Sequence, residues 1–221
     1  MLAVGEHLDC AAVAGEVVNE FPLFPLGLVA LPSEAVPLHI FELRYRTMIR
    51  ECIDTDTEFG IVWMSDDGLR DIGCACTIER VLERMDDGRL NLLARGTRPF
   101  RVLERQAHLP YPAGVVEFVQ DRPEDDPDPE LAGNARAAYS DLVKRATDRE
   151  PEDAELDEMG AYAMAATVDF GLDAKQGLLD LRSENARLRL VTRLFRAATK
   201  RLDFVDRAQA RARSNGKVRF G

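Results

Sequence analysis

The sequence predicts an α+β protein whose first half is mostly β-structure and whose second half is helical. Residues 21–119 contain short apolar runs and a hairpin signal around one amphipathic helix, whereas helical spacing dominates beyond residue 131. Between the two halves, residues 121–130 hold three prolines and six acidic residues against one arginine, a composition that cannot bury apolar surface. We therefore predict a linker there, with a subdomain on either side.

The β-rich half begins with an extended segment at residues 21–38, where prolines are spaced among apolar residues. Because proline fixes φ and has no N–H, short edge strands and turns are expected in this segment. The pattern then changes to helical spacing and predicts one amphipathic helix over about residues 40–53. The apolar positions of this helix are Phe41, Tyr45, Met48, Ile49 and Cys52.

Several strands follow this helix. Residues 59–63 form a continuous apolar run, which is typical of a buried strand. The sequence Asp86-Asp87-Gly88 favours a tight hairpin, because Asp-Gly supplies residues that adopt positive φ. The hairpin strands are predicted at 78–85 and 89–94, and two more strands at 100–103 and 115–119.

In the second half, three groups of apolar residues at helical spacing predict three helices, over about residues 131–142, 159–170 and 188–202. Ser183 is the predicted N-cap of the last helix. A second acidic loop is expected at residues 148–158. The end of the chain, residues 206–221, has five basic residues against one acidic residue. It is expected to be a frayed, solvated basic tail, with contact to RNA or an acidic partner as the alternative.

Composition limits the functional classes. The net charge of −10 argues against a general DNA-coating protein, because nonspecific DNA binding depends on neutralising phosphates. No run approaches the roughly 18 apolar residues that a membrane-spanning helix needs. Four cysteines and no secretory leader favour a cytoplasmic protein with reduced thiols.

The sequence contains no clear metal site. Cys74 and Cys76 place two thiols on one face of a strand, but structural zinc needs four ligands, usually in two pairs. We therefore predict that both are core residues, with a redox or metal role as the alternative. The other cysteines and the histidines form no metal-binding spacing: Cys10, Cys52, His7, His39 and His108.

Catalytic signals are equally sparse. No phosphate-binding loop is present, and none of the five serines lies in a G-x-S-x-G motif. A Cys–His pair stays open, since such partners meet in space rather than in sequence. The carboxylate pairs Asp125-Asp126 and Glu152-Asp153 are predicted to be solvated. We predict core positions for Phe24, Trp63 and Tyr111, with a recognition surface as the alternative.

Several separated motifs resemble one family. The segments FPLFPL at 21–26 and PLHIFELRYR at 37–46 are similar to the start of the Lon protease N-terminal (substrate-binding) domain, with Leu43 in place of a proline. Further segments in the same order resemble its later motifs: DIGCACTI at 71–78, LLARGTRPF at 92–100, and KQGLLD at 175–180 followed by Arg187-Leu188. The resemblance covers about residues 20–203.

This resemblance implies a PUA-like β pseudo-barrel with one packed helix, followed by a C-terminal helical bundle. We expect an N-terminal extension at 1–18, the β-rich subdomain at 19–121, the bundle at 122–205 and the tail at 206–221. Local roles are also expected for individual residues. They are a helix-face pair of Glu42 with Arg46, and a strand bend or close backbone contact at Gly73 and Gly96. Arg44 and Arg98 are expected to tie loops down, with ligand contact as the alternative.

Full-length Lon proteases add an ATPase module and a protease module, and the motifs of both are missing here. The resemblance therefore implies a non-enzymatic module that binds unfolded or regulatory polypeptides, through strand edges and the groove between barrel and helices. The alternatives are a PUA-like RNA-binding module, a scaffold for one dedicated protein partner, and a small hydrolase or redox protein using Cys74 or Cys76. No catalytic residue, metal, cofactor or membrane contact is predicted. The binding residues stay unassigned, and we expect a monomer or weak dimer.

Overall fold

The first half of the chain closes into a small β-barrel. The computed structural model describes residues 15–122 and 126–215. Five strands form the ring in the order β1, β7, β6, β5, β3, and a parallel pairing of β3 with β1 closes it. The strands are β1 (Val17–Leu26), β2 (Ala35–Ile40), β3 (Phe59–Ser65), β4 (Gly68–Leu69), β5 (Ile72–Arg84), β6 (Leu90–Gln106) and β7 (Ala113–Phe118). The remaining two, β2 and β4, extend the sheet from β6 and β3.

Strand β1 accommodates two prolines by changing partners. Its first part, Val17 to Pro22, pairs with β7, and Leu23 to Leu26 pairs with β3. Each part therefore has a strand neighbour mainly on one side, which suits residues without an N–H and agrees with the expected edge character. Because β1 begins at Val17, the barrel includes the last residues assigned to the N-terminal extension 1–18.

Alternate residues of the ring strands fill the inside of the barrel. The Phe21 ring packs edge-on against Phe100 and Phe118, with centroids 5.3 and 5.7 Å apart. Two glycines leave room for these rings, since a Cβ added at Gly60 would lie 2.4 Å from Phe100 Cζ and one at Gly73 2.8 Å. The interior cluster is Phe21, Leu23, Val62, Ala75, Phe100, Val102, Val116 and Phe118.

Helix α1 (Leu43–Thr55) packs on the outside of the barrel and belongs to a second, larger core that continues into the helical half. Its buried residues are Tyr45, Met48, Ile49 and Cys52, as the helical spacing predicted. The prediction was wrong for Phe41. Because the helix starts two residues after it, Phe41 lies outside the helix, directly after β2, and is 59% exposed.

The predicted hairpin is confirmed, but its strands are longer than expected. Gly88 has φ +84°, and the Met85 N–H donates to the carbonyl oxygen of Arg89 at 2.9 Å. The strand predicted at 100–103 is not separate, since β6 continues through Pro99 as a single strand. Irregularities in its pairing with β5 and β7 bend β6. On either side of the bend β6 has different partners, since its first half pairs with β2 and its second half with β7.

The second half is a helical bundle. Helix α2 packs along α6, and the Phe195 ring of α6 contacts Tyr139 and Phe170 at centroid distances of 5.3 and 5.4 Å. The Ser183 hydroxyl accepts the Ala186 N–H at 3.3 Å, which confirms the predicted N-cap. The helices are α2 (Pro129–Thr147), α3 (Asp153–Glu158), α4 (Ala161–Ala165), α5 (Leu172–Leu179) and α6 (Glu184–Asn215).

Three helix boundaries differ from prediction. The helix predicted at 159–170 is only the short α4, followed by a turn in which Gly171 has φ +83°. A further short helix, α3, occupies part of the predicted acidic loop. Residues 206–215 continue α6 rather than fraying. Near the start of this stretch, α6 is joined to α2 because Arg145 of α2 pairs with Asp203 at 2.8 Å and with Asp206. The α+β prediction itself is confirmed.

Candidate functional site

An apolar groove opens on the outside of the barrel, where β1 and β2 end and α1 begins. Its volume is about 320 Å³. The buried rings of Phe24 and Tyr45 form its floor, with centroids 4.3 Å apart. We call this the barrel groove. Its lining residues are Phe24, Pro25, Leu26, His39, Ile40, Phe41, Glu42, Arg44, Tyr45, Met64 and Pro112.

Large apolar side chains project at the rim of the barrel groove. Phe41 is 59% exposed and Met64 50%, and Leu43, between two lining residues, is 71% exposed. Strand β2 alternates exposed and buried residues and ends with Ile40 inward, so the chain leaves the sheet with Phe41 outside. A cluster of large exposed apolar residues on a folded surface marks an interaction site.

Polar groups border the groove without filling it. The Arg44 guanidinium pairs with Glu42 at 2.8 Å and lies 4.6 Å from the centre of the Tyr45 ring. Burial raises the pKa of Tyr45, and the Arg44 charge opposes this only in part, so the phenol stays neutral. The predicted pair of Glu42 with Arg46 does not form, because Arg46 reaches instead to the backbone oxygen of Asp87 at 2.5 Å.

The described cysteines are core residues. Cys52, Cys74 and Cys76 are buried free thiols. Burial raises the pKa of Cys52 to about 11 and that of Cys74 well above its usual range, where the neighbouring Cys76 adds to the shift. A thiol that keeps its proton is a poor nucleophile and a poor metal ligand. Within residues 15–122 and 126–215, no three His, Cys, Asp or Glu side chains converge as a metal site. Cys10 and His7 lie outside the described residues.

The described histidines have ordinary surface partners. His39 lies 2.6 Å from the Asn91 amide oxygen and stacks on Phe41, and His108 contacts Glu20 at 2.8 Å. Of the predicted carboxylate pairs, Asp125 lies outside the described residues, and Glu152 is an exposed residue preceding α3.

The three aromatic residues and two arginines singled out from the sequence have mostly structural roles. Phe24 and Tyr111 are buried core residues, as predicted, and Trp63 is half-buried beneath the guanidinium of Arg70. The predicted loop-tying role is confirmed for Arg98, which pairs with Glu16 at 2.8 Å and Glu58 at 3.1 Å. Arg44 holds no distant loop, because its partner Glu42 is two residues away.

The close backbone contacts expected at two glycines are confirmed. A Cβ at Gly73 would lie 2.4 Å from the carbonyl oxygen of Ile61, and one at Gly96 would lie 2.1 Å from that of Leu31. Both positions therefore exclude a side chain and let β5 and β6 approach neighbouring segments.

A polar network occupies the junction between barrel and bundle. The Arg187 side chain, 5% exposed, donates to both carboxylate oxygens of Asp121 and to Glu184. Burial alone lowers the pKa of Arg187, but these carboxylates raise it above its usual value, so the guanidinium stays charged. The concavity beside it measures about 370 Å³ and includes Tyr162.

A larger concavity, the bundle cleft, lies between α2 and α6 and measures about 950 Å³. Its walls are apolar residues of the bundle core and the turn that contains Phe170. Leu202 and Val205 of α6 form one end, and Phe204 nearby on the helix is 72% exposed. Each half of the described chain thus presents an apolar surface.

The exposed cluster at the barrel groove was missed from the sequence. Phe41 fits the spacing of the α1 core residues, so helical periodicity alone assigns it to the core. Leu43 could have indicated an exposed apolar residue, because it lies off that apolar stripe at the start of the helix.

Comparison with known proteins identifies the family to which this architecture belongs. Residues 20–197 match the family model described as the ATP-dependent protease La (LON) substrate-binding domain, which is a substrate-binding rather than a catalytic domain. Lon protease of Anaeromyxobacter dehalogenans is 26% identical over 190 residues, covering 79% of this chain and 22% of that protein. Lon protease 2 of Myxococcus xanthus is 24% identical over 196 residues, covering 81% and 24%. The chain thus spans about a quarter of the length of these two relatives.

Solved structures show the same fold. A Lon N-terminal domain protein from Xanthomonas campestris superposes with a TM-score of 0.61 at 27% identity, covering 78% of this chain and 96% of that one. The N-terminal domain of Mycobacterium avium complex Lon protease superposes with a TM-score of 0.58 at 21% identity, covering 80% and 98%. No helix in the described parts of the chain is long and apolar enough to cross a membrane.

Proposed function

The chain belongs to the Lon substrate-binding domain family, and on this premise we propose that it is a non-enzymatic module that binds exposed apolar segments of unfolded or regulatory polypeptides in the barrel groove. The observation that carries the proposal is the projecting cluster of Phe41, Leu43 and Met64 around that groove. An unfolded chain exposes apolar segments that are buried once the protein folds. When such a segment contacts the exposed cluster at the barrel groove, apolar surface on both partners is removed from water, which favours binding.

The groove suits a short stretch of polypeptide. Its floor of Phe24 and Tyr45 accepts an apolar side chain, while the Arg44–Glu42 pair at the rim stays solvated. Large anchors in a central pocket with a polar border are the usual anatomy of peptide-binding interfaces. Main-chain pairing along the free edge of β2 adds affinity without sequence selectivity, although Pro37 removes one donor from that edge.

The test compares one labelled protein in its folded and permanently unfolded forms, titrated with this chain and followed by fluorescence anisotropy at low and moderate salt. We expect tighter binding of the unfolded form with little salt dependence, because apolar contacts are not screened. Full burial of a Phe or Leu side chain contributes about 1.5–3 kcal/mol. The double variant Phe41→Ser/Leu43→Ser should therefore weaken binding at least about tenfold.

The matched control is Leu82→Ser/Leu103→Ser, which removes two other leucines that are 51% and 52% exposed. It should leave binding unchanged. A third variant, Leu202→Ser/Val205→Ser, alters the bundle cleft. Loss of binding only in this third variant would assign the peptide to the bundle, and equal losses in all three would mean nonspecific adhesion. Absence of any binding up to about a millimolar would refute peptide recognition and favour a single dedicated partner.

The expected cytoplasmic location and monomeric or weakly dimeric state stay predictions. RNA binding, the alternative implied by PUA-like barrels, is tested by a gel shift with total RNA at low salt, with and without residues 206–221. The net charge of −10 opposes it.

A further inference from the structure

Helix α6 presents an uninterrupted row of cations on its outer face. Arg189, Arg193, Arg196 and Lys200 follow one another at spacings of four, three and four residues, which places them side by side on the helix. All four are exposed. None forms a salt bridge with a residue in the described ranges. By contrast, Arg187 of α6 pairs with Asp121, and Arg145 of α2 pairs with Asp203 of α6. We call these four residues the basic row.

The row borders a cleft with a partly apolar floor. Residues from α2, α5 and α6 line a concavity of about 710 Å³, and three of the row's arginines stand along it. The apolar part comes from the half-buried side chains of Leu131, Leu181 and Leu190, and Gly177 leaves the floor open. We call this the basic cleft. It lies in the helical half, apart from the residues of the barrel groove.

Neighbouring cations that find no carboxylate partner among the described residues carry an energetic cost. Like charges at i, i+4 on a helix repel each other and destabilise it. The chain has 39 acidic residues against 29 basic ones, so carboxylates to pair with the row are abundant in its composition. A row of cations beside an open apolar floor in such an acidic chain points to an anionic ligand from outside.

We propose that the basic cleft binds an extended acidic polypeptide segment in which apolar residues alternate with carboxylates. From residue 189 to 200 the row spans about 17 Å at 1.5 Å per residue. An extended chain covers that length with about five residues, and its same-side side chains recur about every 6.6 Å. That interval is close to the rise of about 6 Å between Arg189 and Arg193 and between Arg196 and Lys200, whereas Arg193 and Arg196 are about 4.5 Å apart along the helix. Carboxylates two residues apart can therefore pair with the first two and with the last two cations of the row. The apolar residues between them lie toward the leucines.

A second copy of this chain does not fit. Its acidic segment at 148–158 has its one leucine, Leu156, buried, and the linker at 121–130 has only prolines as apolar residues. Nucleic acid fits less well, because an apolar floor offers nothing to phosphates and the whole chain is acidic. An acidic, apolar-bearing segment of another protein matches both the charge and the floor.

The experiment uses a fluorescein-labelled peptide, Glu-Leu-Glu-Thr-Glu-Val-Glu, titrated with the full chain. We expect binding that weakens as salt rises, and at least a tenfold loss in the variant Arg189→Gln/Arg193→Gln/Arg196→Gln. The control, Arg50→Gln/Arg80→Gln/Arg84→Gln, removes three exposed arginines elsewhere and should bind as the unaltered chain does. Replacing Glu by Gln in the peptide, or Leu and Val by Ser, should each reduce binding.

Equal binding by both variants, or no binding of the peptide at a millimolar, would overturn the proposal. The basic-row variant should also be titrated with a labelled single-stranded RNA. If this variant loses affinity for the RNA but not for the peptide, the row is a nucleic-acid contact and the proposal is overturned. The Phe41→Ser/Leu43→Ser variant should bind this peptide normally. The basic cleft and the barrel groove are thereby tested independently, and each proposal can fail without the other.

Discussion

Replacement of Arg187 by methionine should destabilise the protein more than any surface change, because this arginine joins the two halves. Its guanidinium donates to Asp121 just after β7, to Glu184 at 2.9 Å and to the Leu181 carbonyl oxygen at 3.1 Å. It also lies 4.6 Å from the centre of the Tyr162 ring. Methionine fills part of the volume but satisfies none of these acceptors.

The size of the effect follows from what remains unpaired. The Glu184 side chain is 18% exposed and that of Asp121 40%, so the first carboxylate is poorly hydrated and the second is partly hydrated. Breaking a buried ion pair costs about 3–5 kcal/mol, and the exposure of Asp121 favours the lower end, about 3 kcal/mol. For a chain of this length that lowers Tm by about 6–12 °C.

Urea unfolding followed by circular dichroism measures the loss. Arg187→Lys should lose less than Arg187→Met, because lysine keeps the charge but not the bidentate geometry. The triple variant Arg187→Met/Asp121→Asn/Glu184→Gln should regain at least half of the stability, since no carboxylate is left without its partner. A loss below about 1 kcal/mol for Arg187→Met, or a triple variant as unstable as the single one, would refute the reasoning.

Three other predictions concern packing and titration. Gly96→Ala should lower the free energy of unfolding by about 1–3 kcal/mol, because the added Cβ would meet the Leu31 carbonyl oxygen. Gly133→Ala has open space around it in α2 and should raise the free energy of unfolding by about 0.5–1 kcal/mol. Urea unfolding measures both, and equal effects would contradict the reasoning. In a Cys10→Ser variant, the three remaining thiols should react with a thiol reagent only as the protein unfolds, and rapid labelling of the native protein would show an accessible thiol. Since burial raises the pKa of Cys52 from 9.0 to about 11, the unfolded state releases that proton first, and stability should fall as pH rises from 9 to 11. Cys52→Ala should flatten that fall by up to about 1.4 kcal/mol per pH unit, and an unchanged slope would contradict the assignment.

Much of the barrel was predictable from local chemistry. Asp-Gly at the hairpin and the apolar run at 59–63 act over a few residues, and both were found where expected. The continuity of β6 through Pro99 was not predictable, because it depends on β7 and β5 pairing on either side of a bend. The predicted 159–170 helix ends early, at Ala165, because the chain turns directly after it, which apolar spacing alone does not show.

The candidate site was less predictable than the fold. Cys74 and Cys76 could be assigned to the core because a free cysteine without metal-binding spacing behaves as a small apolar residue. The basic row was in principle visible as Arg189, Arg193 and Arg196 at helical spacing, but helical spacing does not show whether such charges are paired. Pairing depends on what packs across from the helix, as the neighbouring Arg187 demonstrates by finding Asp121 at the junction.

The residues that carry the family resemblance divide into two groups with different physical reasons for being there. Phe21, Leu23 and Phe24 are at most 5% exposed, and their burial in the barrel cores accounts for them fully. Phe41, from the neighbouring motif, stabilises no core, because more than half of it is exposed to water. The same is true of Leu43, which stands where the family motif has a proline. An exposed Phe and Leu side by side favour adhesion to other chains. Because they lie beside a groove with a buried aromatic floor, we expect exposed apolar segments to bind at the barrel groove rather than at the junction closed by Arg187.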